Sequence, residues 1–424
     1  MSINRHKPPF RQRLGDVFPA LRHRNYQLFF LGQGASLIGT WMQGVALSWL
    51  VYRLTDSEFL LGLTLFMSRI FTFPIAPFAG VIADRTNRRN LLIAVQTLAM
   101  LQAFALAALA LTGAITVWQI IVLGAILGFI SAIDIPVRQS FVVEMLEDRN
   151  DLPNAIALNS MLVNGAKLIG PPLAGLVVAW LGEGLCFLLN GISFIAVIVA
   201  LLGMKIPRVP RTSANRVLEN LKDGAVYAFR YAPIRALLIL VALVNLLGAP
   251  AMALLPVFAK DILGGGPHTF GFLMGASGVG AVLATLFLAT RKTARNLHRI
   301  LVPGSILVGV AMIAFALVTN LYVSMLLQAI IGFGNMVAMA TCNTLIQTFV
   351  EDDKRGRVMG FYTMAFMGMM PFGSLLAGGL ASWLSTPWSV IIGGIGCIGA
   401  GVLFAVELVR SREAFKNAHE KNML

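Results

Sequence analysis

GVIADRTNRRNLL, residues 80–92, sets one carboxylate and three arginines between two long apolar runs. The flanking stretches, 59–82 and 91–112, are each long enough to cross a bilayer core of about 30 Å as a helix. So short a turn forces its two helices to pack antiparallel. Gly80 permits their close approach, and Asp84 puts a carboxylate at the mouth of the pair. Arg85, Arg88 and Arg89 hold the loop on one side of a membrane.

The rest of the chain repeats this alternation. Of its 424 residues 57% are hydrophobic and 12% charged, about half the charge of a soluble domain, and the mean hydropathy is +0.79. Twelve spans are expected: 26–52, 59–82, 91–112, 117–137, 155–181, 184–204, 235–258, 269–290, 300–319, 321–348, 358–383 and 388–409. The net charge of +14 would suit nucleic acid, but its distribution argues otherwise. On this topology 29 of the 33 Lys and Arg residues fall on one side. Arg53 and Lys260 alone fall on the other, while Arg69 and Lys167 lie inside spans. That asymmetry predicts cytoplasmic termini, and it makes the basic charge a topology signal. The first apolar run is too long for a cleavable signal sequence, so none is expected.

One longer polar segment divides the spans six and six. The expected organisation is a basic cytoplasmic segment 1–25, a six-helix bundle 26–204, a cytoplasmic linker 205–234, a second six-helix bundle 235–409 and a cytoplasmic tail 410–424. Within the linker, Val217, Leu218, Leu221, Ala225 and Phe229 recur at helical spacing among charges, the pattern of an amphipathic surface helix. The halves also echo each other. LIGPPLAGLVVAWLG (168–182) and PFGSLLAGGLASWLS (371–385) share six of fifteen positions at an offset of 203, including Gly170/Gly373, Gly175/Gly378 and Trp180/Trp383. Two-fold internal repeats of this kind build transporters whose sites lie near the midplane.

The loop at 80–92 resembles the signature loop of the major facilitator superfamily (G-x-L-a-D-r-x-G-r-k-x-x-l), with Ile82, Asn87 and Arg89 as departures. The resemblance implies an all-α membrane fold of two pseudo-symmetric six-helix bundles that rock about a central cavity. It also implies a cytoplasmic latch: Gly80, Asp84, Arg85, Arg88 and Arg89, with Asp84 reaching the start of span eleven and Arg138 at the end of span four. The corresponding loop of the second half, ATRKTARNLHR, keeps the charge but has neither Gly nor Asp. GPPLAG resembles the superfamily's antiporter motif, through Gly170, Pro171 and Gly175, and equally suits small-residue helix packing. The coupling Arg that proton-driven members carry in span four has no counterpart near Gly128. The stretches GQGASLIGTWMQGVALSWLVYRLT, FAGVIADRTNRR and DIPVRQSFVVEML resemble the enterobactin-exporter-like branch, the transmembrane secretion effectors. That resemblance implies export of small amphipathic molecules across a bacterial inner membrane, with protons as the coupling ion.

A charge at a helix centre costs about 2.5–3.5 kcal/mol on insertion scales, so Arg69 and Lys167 need a reason. Both lie roughly 20 Å from the basic end, on helices of the same half. No carboxylate inside a span is equally deep: Asp134 is near the mouth, and Asp56, Glu58 and Glu183 are at the opposite ends. Three accounts are open. The pair clamps an anionic group of a substrate, or Lys167 carries protons, or both are structural. Ser160 and Asn164 share the face of Lys167, and Gln33, Ser36, Thr40 and Gln43 form a polar stripe on span one. A polar stripe must face protein or water, either as cavity lining or as glue between helices. The second half offers Asn245 and Asn335 with a run of methionines including Met336, Met364 and Met367, a soft wall for varied apolar shapes. Asp134, four residues before Arg138, is the carboxylate for proton coupling or else one half of a structural ion pair.

No cofactor, metal or enzymatic chemistry is expected. The sequence has no GxxxxGK[ST], HExxH or GxSxG, no histidine within a span and three dispersed cysteines, Cys186, Cys342 and Cys397. The reading is a monomeric secondary transporter of an amphipathic, anionic, siderophore- or drug-like molecule. A lipid or lysolipid transporter of the same fold is its rival, and a non-transporting membrane scaffold or sensor is the rival of another class.

Overall fold

The computed structural model describes residues 18–72, 74, 75, 86–206, 226–291, 298–351 and 354–410. Gly80, Asp84 and Arg85 of the expected latch lie outside these, as do residues 1–17, linker residues 207–225 and the tail from 411. Among the described residues every regular element is helical.

Among the described residues twelve helical units of ten residues or more follow in order: α1 Arg24–Thr55, α2 Glu58–Met67, α3 Arg88–Leu111, α4 Val117–Phe141, α5 Leu152–Leu181, α6 Glu183–Gly203, α7 Ala232–Ile262, α8 Pro267–Ala289, α9 His298–Leu317, α10 Leu321–Phe349, α11 Arg355–Trp383 and α12 Thr386–Arg410. Ten of them, α3 to α12, are apolar and long enough to cross a membrane. The 32-residue α1 has the length, but its polar stripe lowers its hydropathy. The polar residues between spans start the helices. Ser57 Oγ accepts from Leu60 N at 3.3 Å to open α2, and Asn87 Oδ1 accepts from Asn90 N at 3.2 Å to open α3. Thr116 and Gln119 form a capping box on α4.

Three spans depart from the continuous helices expected. The second stops at Met67 and turns through Ser68–Phe71. Pro250 and Pro256 interrupt α7, which ends in a π-helical turn, Phe258–Ile262. A second π-helical turn, Met364–Gly368, lies inside α11. Such turns gather at functional sites. By contrast, Pro171 and Pro172 sit within α5 without ending it.

In the first bundle α1 packs on α5 and α6, and α3 on α6 and α4. In the second, α9 packs on α12 and α10, and α8 on α10. The bundles meet through two seams, α5 with α8 and α2 with α11. Glycines make both seams close. A Cβ on Gly175 would fall 2.7 Å from the Pro267 carbonyl, and one on Gly62 would fall 2.6 Å from the Ser374 carbonyl. These contacts lie at the far end of the molecule, opposite the basic loops. There too Trp49 stacks on Phe270 across the bundles, with ring centroids 6.5 Å apart. Trp118, Trp180, Tyr322, Trp383 and Trp388 are exposed around that end, the aromatic belt of a membrane–water interface.

Candidate functional site

Arg69 projects from the turn that ends α2. The turn is fixed by Ser68 N and Oγ, both donating to the Thr64 carbonyl at 3.0 and 2.7 Å, and by Ile70 N donating to Phe66 at 2.8 Å. It presses on α4, where Gly128 leaves no room for a side chain: a Cβ there would be 2.4 Å from the Ser68 carbonyl. Arg69 stands exposed on this turn, beside the contact with α4. Lys167 is half-buried on α5 of the same bundle. Among the described residues neither side chain has a hydrogen-bonding or carboxylate partner. Intramembrane cations without a counter-charge favour the approach of an anion.

Asn164 and Ser160 extend this wall. Both are exposed; Asn164 Nδ2 donates to the Ser160 carbonyl at 2.9 Å and Ser160 Oγ to Ile156 at 2.9 Å, leaving the Asn164 carbonyl oxygen available to a ligand. On α1 the expected stripe divides. Thr40 and Gly44 are exposed, on the strip between the contacts of α1 with α4 and with α5. Gln33, Ser36 and Gln43 are 3%, 1% and 1% exposed and turn into the bundle. Gln43 donates to Gln102 Oε1 at 3.0 Å and accepts from Asn190 Nδ2 at 2.7 Å, joining α1, α3 and α6. These three residues are therefore not cleft lining in this conformation. A primary amide in lipid needs partners on both sides, and Gly39 brings α6 near enough to supply one.

The second bundle presents softer groups. Met367 is exposed, and Asn335, Met336 and Met364 are half-buried. Asn245 is tied down: Nδ2 donates to Val241 at 2.8 Å and contacts Met339 Sδ at 3.1 Å, fixing α7 to α10. At the repeat's offset of 203, Asn164 and Lys167 correspond to Met367 and Met370. An open cleft of about 430 Å³, lined by Thr344, Gln347, Thr348 and Arg355, lies at the basic end of α10.

At the basic end the described members of the expected latch bond within the first bundle. Arg88 pairs with Glu144 at 2.6 Å. Arg89 donates to the Leu201 and Leu202 carbonyls at 2.7 and 2.8 Å, capping the C-terminus of α6. Arg138 Nε pairs with Asp134 Oδ2 at 3.1 Å, and Gln96 donates to Asp134 Oδ1 at 2.7 Å. Gly170 packs on Trp41 and Gly175 on α8 beside Pro171, so the GPPLAG motif is a packing surface here. The three cysteines are free and buried.

Sequence reading missed the contacts that tie the bundles together at the far end. Asp56, after α1, pairs with Lys260 in the π-helical turn of α7. The Tyr52 hydroxyl donates to Asp261 Oδ2. The signal available was Lys260 itself, one of only two basic residues on that side.

Comparison with known proteins agrees with this architecture. The family model described as transmembrane secretion effector matches residues 16–423. The staphyloferrin A transporter of Staphylococcus aureus (strain NCTC 8325 / PS 47) is 28% identical, over 82% of this chain and 87% of its own. The enterobactin exporter EntS of Escherichia coli O1:K1 / APEC is 23% identical, over 92% of this chain and 93% of its own. Among solved structures, a bacterial homologue of the iron transporter ferroportin in an inward-facing state has a TM-score of 0.69 at 17% identity, covering 91% of this chain and 98% of that one. Relatives and fold alike are those of transporters, not enzymes. This multi-pass membrane chain therefore belongs to the transmembrane secretion effector family of the major facilitator superfamily.

Proposed function

We propose that this transporter exports an amphipathic, anionic small molecule of siderophore-like chemistry across a bacterial inner membrane by alternating access. The observation that carries the reading is that Arg69 and Lys167, two cations inside the first bundle, have no carboxylate partner among the described residues. The methionine-bearing face of α11 supports it, since thioethers accommodate an apolar body while the cations hold an acidic head. The basic loops face the cytoplasm, which makes the sealed end periplasmic and the conformation inward-facing. Relatives named for staphyloferrin A and enterobactin support this substrate class. Protons drive export, with Asp134 as the group that carries them, and the monomer is the working unit.

The test is the ligand-induced melting shift of the purified protein against catecholate siderophores, lysophospholipids and cationic dyes. A ligand that binds only the folded state raises apparent stability, by about 2.7 kcal/mol at a hundredfold excess over Kd. Anionic amphiphiles should stabilise the wild type and leave Arg69→Met and Lys167→Met unmoved. Stabilisation by cations, or unchanged shifts in both variants, would end the anionic reading. A response confined to lysophospholipids would transfer the site to a lipid.

A further inference from the structure

Of the ion pairs between described residues, Asp56–Lys260 is the one that joins the two bundles. The described side-chain hydrogen bonds between bundles fall at the same place, with Tyr52 donating to Asp261. Lys260 also lies over the Tyr52 ring, 5.4 Å from its centroid. Each side of this cluster has an unusual backbone. Among the described residues Asp56 is the non-glycine residue with positive φ, 46°, where it ends α1 in a left-handed turn that aspartate tolerates. Lys260 and Asp261 lie in the π-helical turn, closed by Leu263 N donating to Phe258 at 2.9 Å. That turn carries two consecutive side chains to the end of one helix of the other bundle. The neighbouring Arg53 does not compete for these carboxylates, because Glu183 of its own bundle holds it at 2.8 Å.

We propose that Tyr52, Asp56, Lys260 and Asp261 form the far-side gate, a two-point latch that holds the cleft closed on the periplasmic face and must release for substrate to leave. The assignment rests on the alternating-access reading above. Both points break together when the bundles separate at this end, because one helix terminus carries each half. Lys260 is the pivot: it engages Asp56 by charge and Tyr52 by its ring, and its chain neighbour takes the Tyr52 hydroxyl. The glycine seams alongside supply closeness without charge, so the latch adds the part that can be switched. Its equilibrium sets how often the outward-open state is visited.

A cysteine at position 44 reports the gate. Gly44 is exposed on α1, between its contacts with α4 and with α5, with no atom within 4 Å of an added Cβ, and the native cysteines are buried. In right-side-out vesicles a membrane-impermeant maleimide reaches Gly44→Cys from the periplasmic side only when the latch is open. Lys260→Met and Asp56→Asn should each raise the labelling rate roughly fivefold or more, and Lys260→Arg should leave it near wild type. Equal labelling in all variants, or Lys260→Arg behaving as Lys260→Met, overturns the latch. Should a single variant fail to fold, Asp56→Cys with Lys260→Cys under oxidation must abolish Gly44→Cys labelling; labelling at the wild-type rate overturns the proposal equally. Labelling requires no substrate. A responsive gate with no binding of anionic amphiphiles would sink the functional reading alone, and binding with an unresponsive gate would sink the latch alone.

Discussion

Gly378 of α11 and Gly62 of α2 meet across the seam between the bundles with no room for a side chain on either. A Cβ on Gly378 would lie 2.4 Å from the Glu58 carbonyl, and one on Gly62 would lie 3.0 Å from the Gly378 Cα. The obstacle is backbone, which cannot rotate aside. Gly175, the repeat mate of Gly378, makes the equivalent contact with Gly271 at the other seam. Lipid offers helices no hydrophobic drive to associate, so close backbone packing at these four glycines supplies the uncharged part of the far-end closure, beside the Asp56–Lys260 latch.

Gly378→Val should therefore wedge the bundles apart at that end. Overpacking of this kind costs about 1–3 kcal/mol of the closed state. The expected result is a lower melting temperature together with faster labelling of Gly44→Cys from the periplasmic side. Gly379→Val, one residue on where nothing lies within 4 Å of an added Cβ, is the control and should change neither.

Gln43 separates glue from lining. Its amide is buried and bonded on both sides, to Gln102 and Asn190. Gln43→Leu leaves partners unsatisfied, and buried polar contacts in membrane proteins average about 0.6 kcal/mol with a maximum near 1.7. The melting temperature should fall accordingly while the ligand-induced shift keeps its size. Asn164→Ala should do the reverse, weakening the shift at little cost to the unliganded protein. A lost ligand response in Gln43→Leu would return that residue to the cleft.

The repeat was legible because packing glycines recur at fixed spacing: Gly170 and Gly175 of α5, and Gly373 and Gly378 of α11, all make the close contacts their identity requires. Arg69 and Lys167 were legible too, because a charge inside an apolar run is conspicuous. Three things were not. Periodicity cannot tell which neighbour a polar stripe faces, so Gln33, Ser36 and Gln43 read like Thr40 although they turn toward different helices. The break after Met67 follows a run, EFLLGLTLFM, that carries no Pro; contact with Gly124 and Gly128 of α4 accompanies the turn, and that contact is tertiary. The Asp56–Lys260 pair joins residues 204 apart, a distance no local pattern spans.

Asp134 is held by Gln96 and Arg138, two partners that suit a carboxylate and that a neutral amide would satisfy less well. Under the coupling reading, Asp134→Asn removes the proton carrier and leaves the site near Arg69 and Lys167 in place. Counterflow exchange of substrate in proteoliposomes should persist in this variant, and uptake driven by a pH gradient should vanish. Gradient-driven uptake that survives would make the Asp134–Arg138 pair structural.

The sign of the stability change at Lys167 decides between a clamp and a brace. In the unliganded protein Lys167 carries a charge inside a span with no carboxylate partner among the described residues. Binding sites commonly hold such unfavourable arrangements, and relieving them stabilises the protein while removing function. Lys167→Met should thus raise the melting temperature of the unliganded protein, by the equivalent of about 1 kcal/mol. It should also lose the stabilisation by anionic amphiphiles. Lys167→Glu should go further on both counts, because a carboxylate there pairs with Arg69 and occupies the site in place of the substrate. A structural lysine predicts the opposite sign: both variants would melt lower than the wild type, and the response to ligand would fall only in proportion to the folded protein remaining.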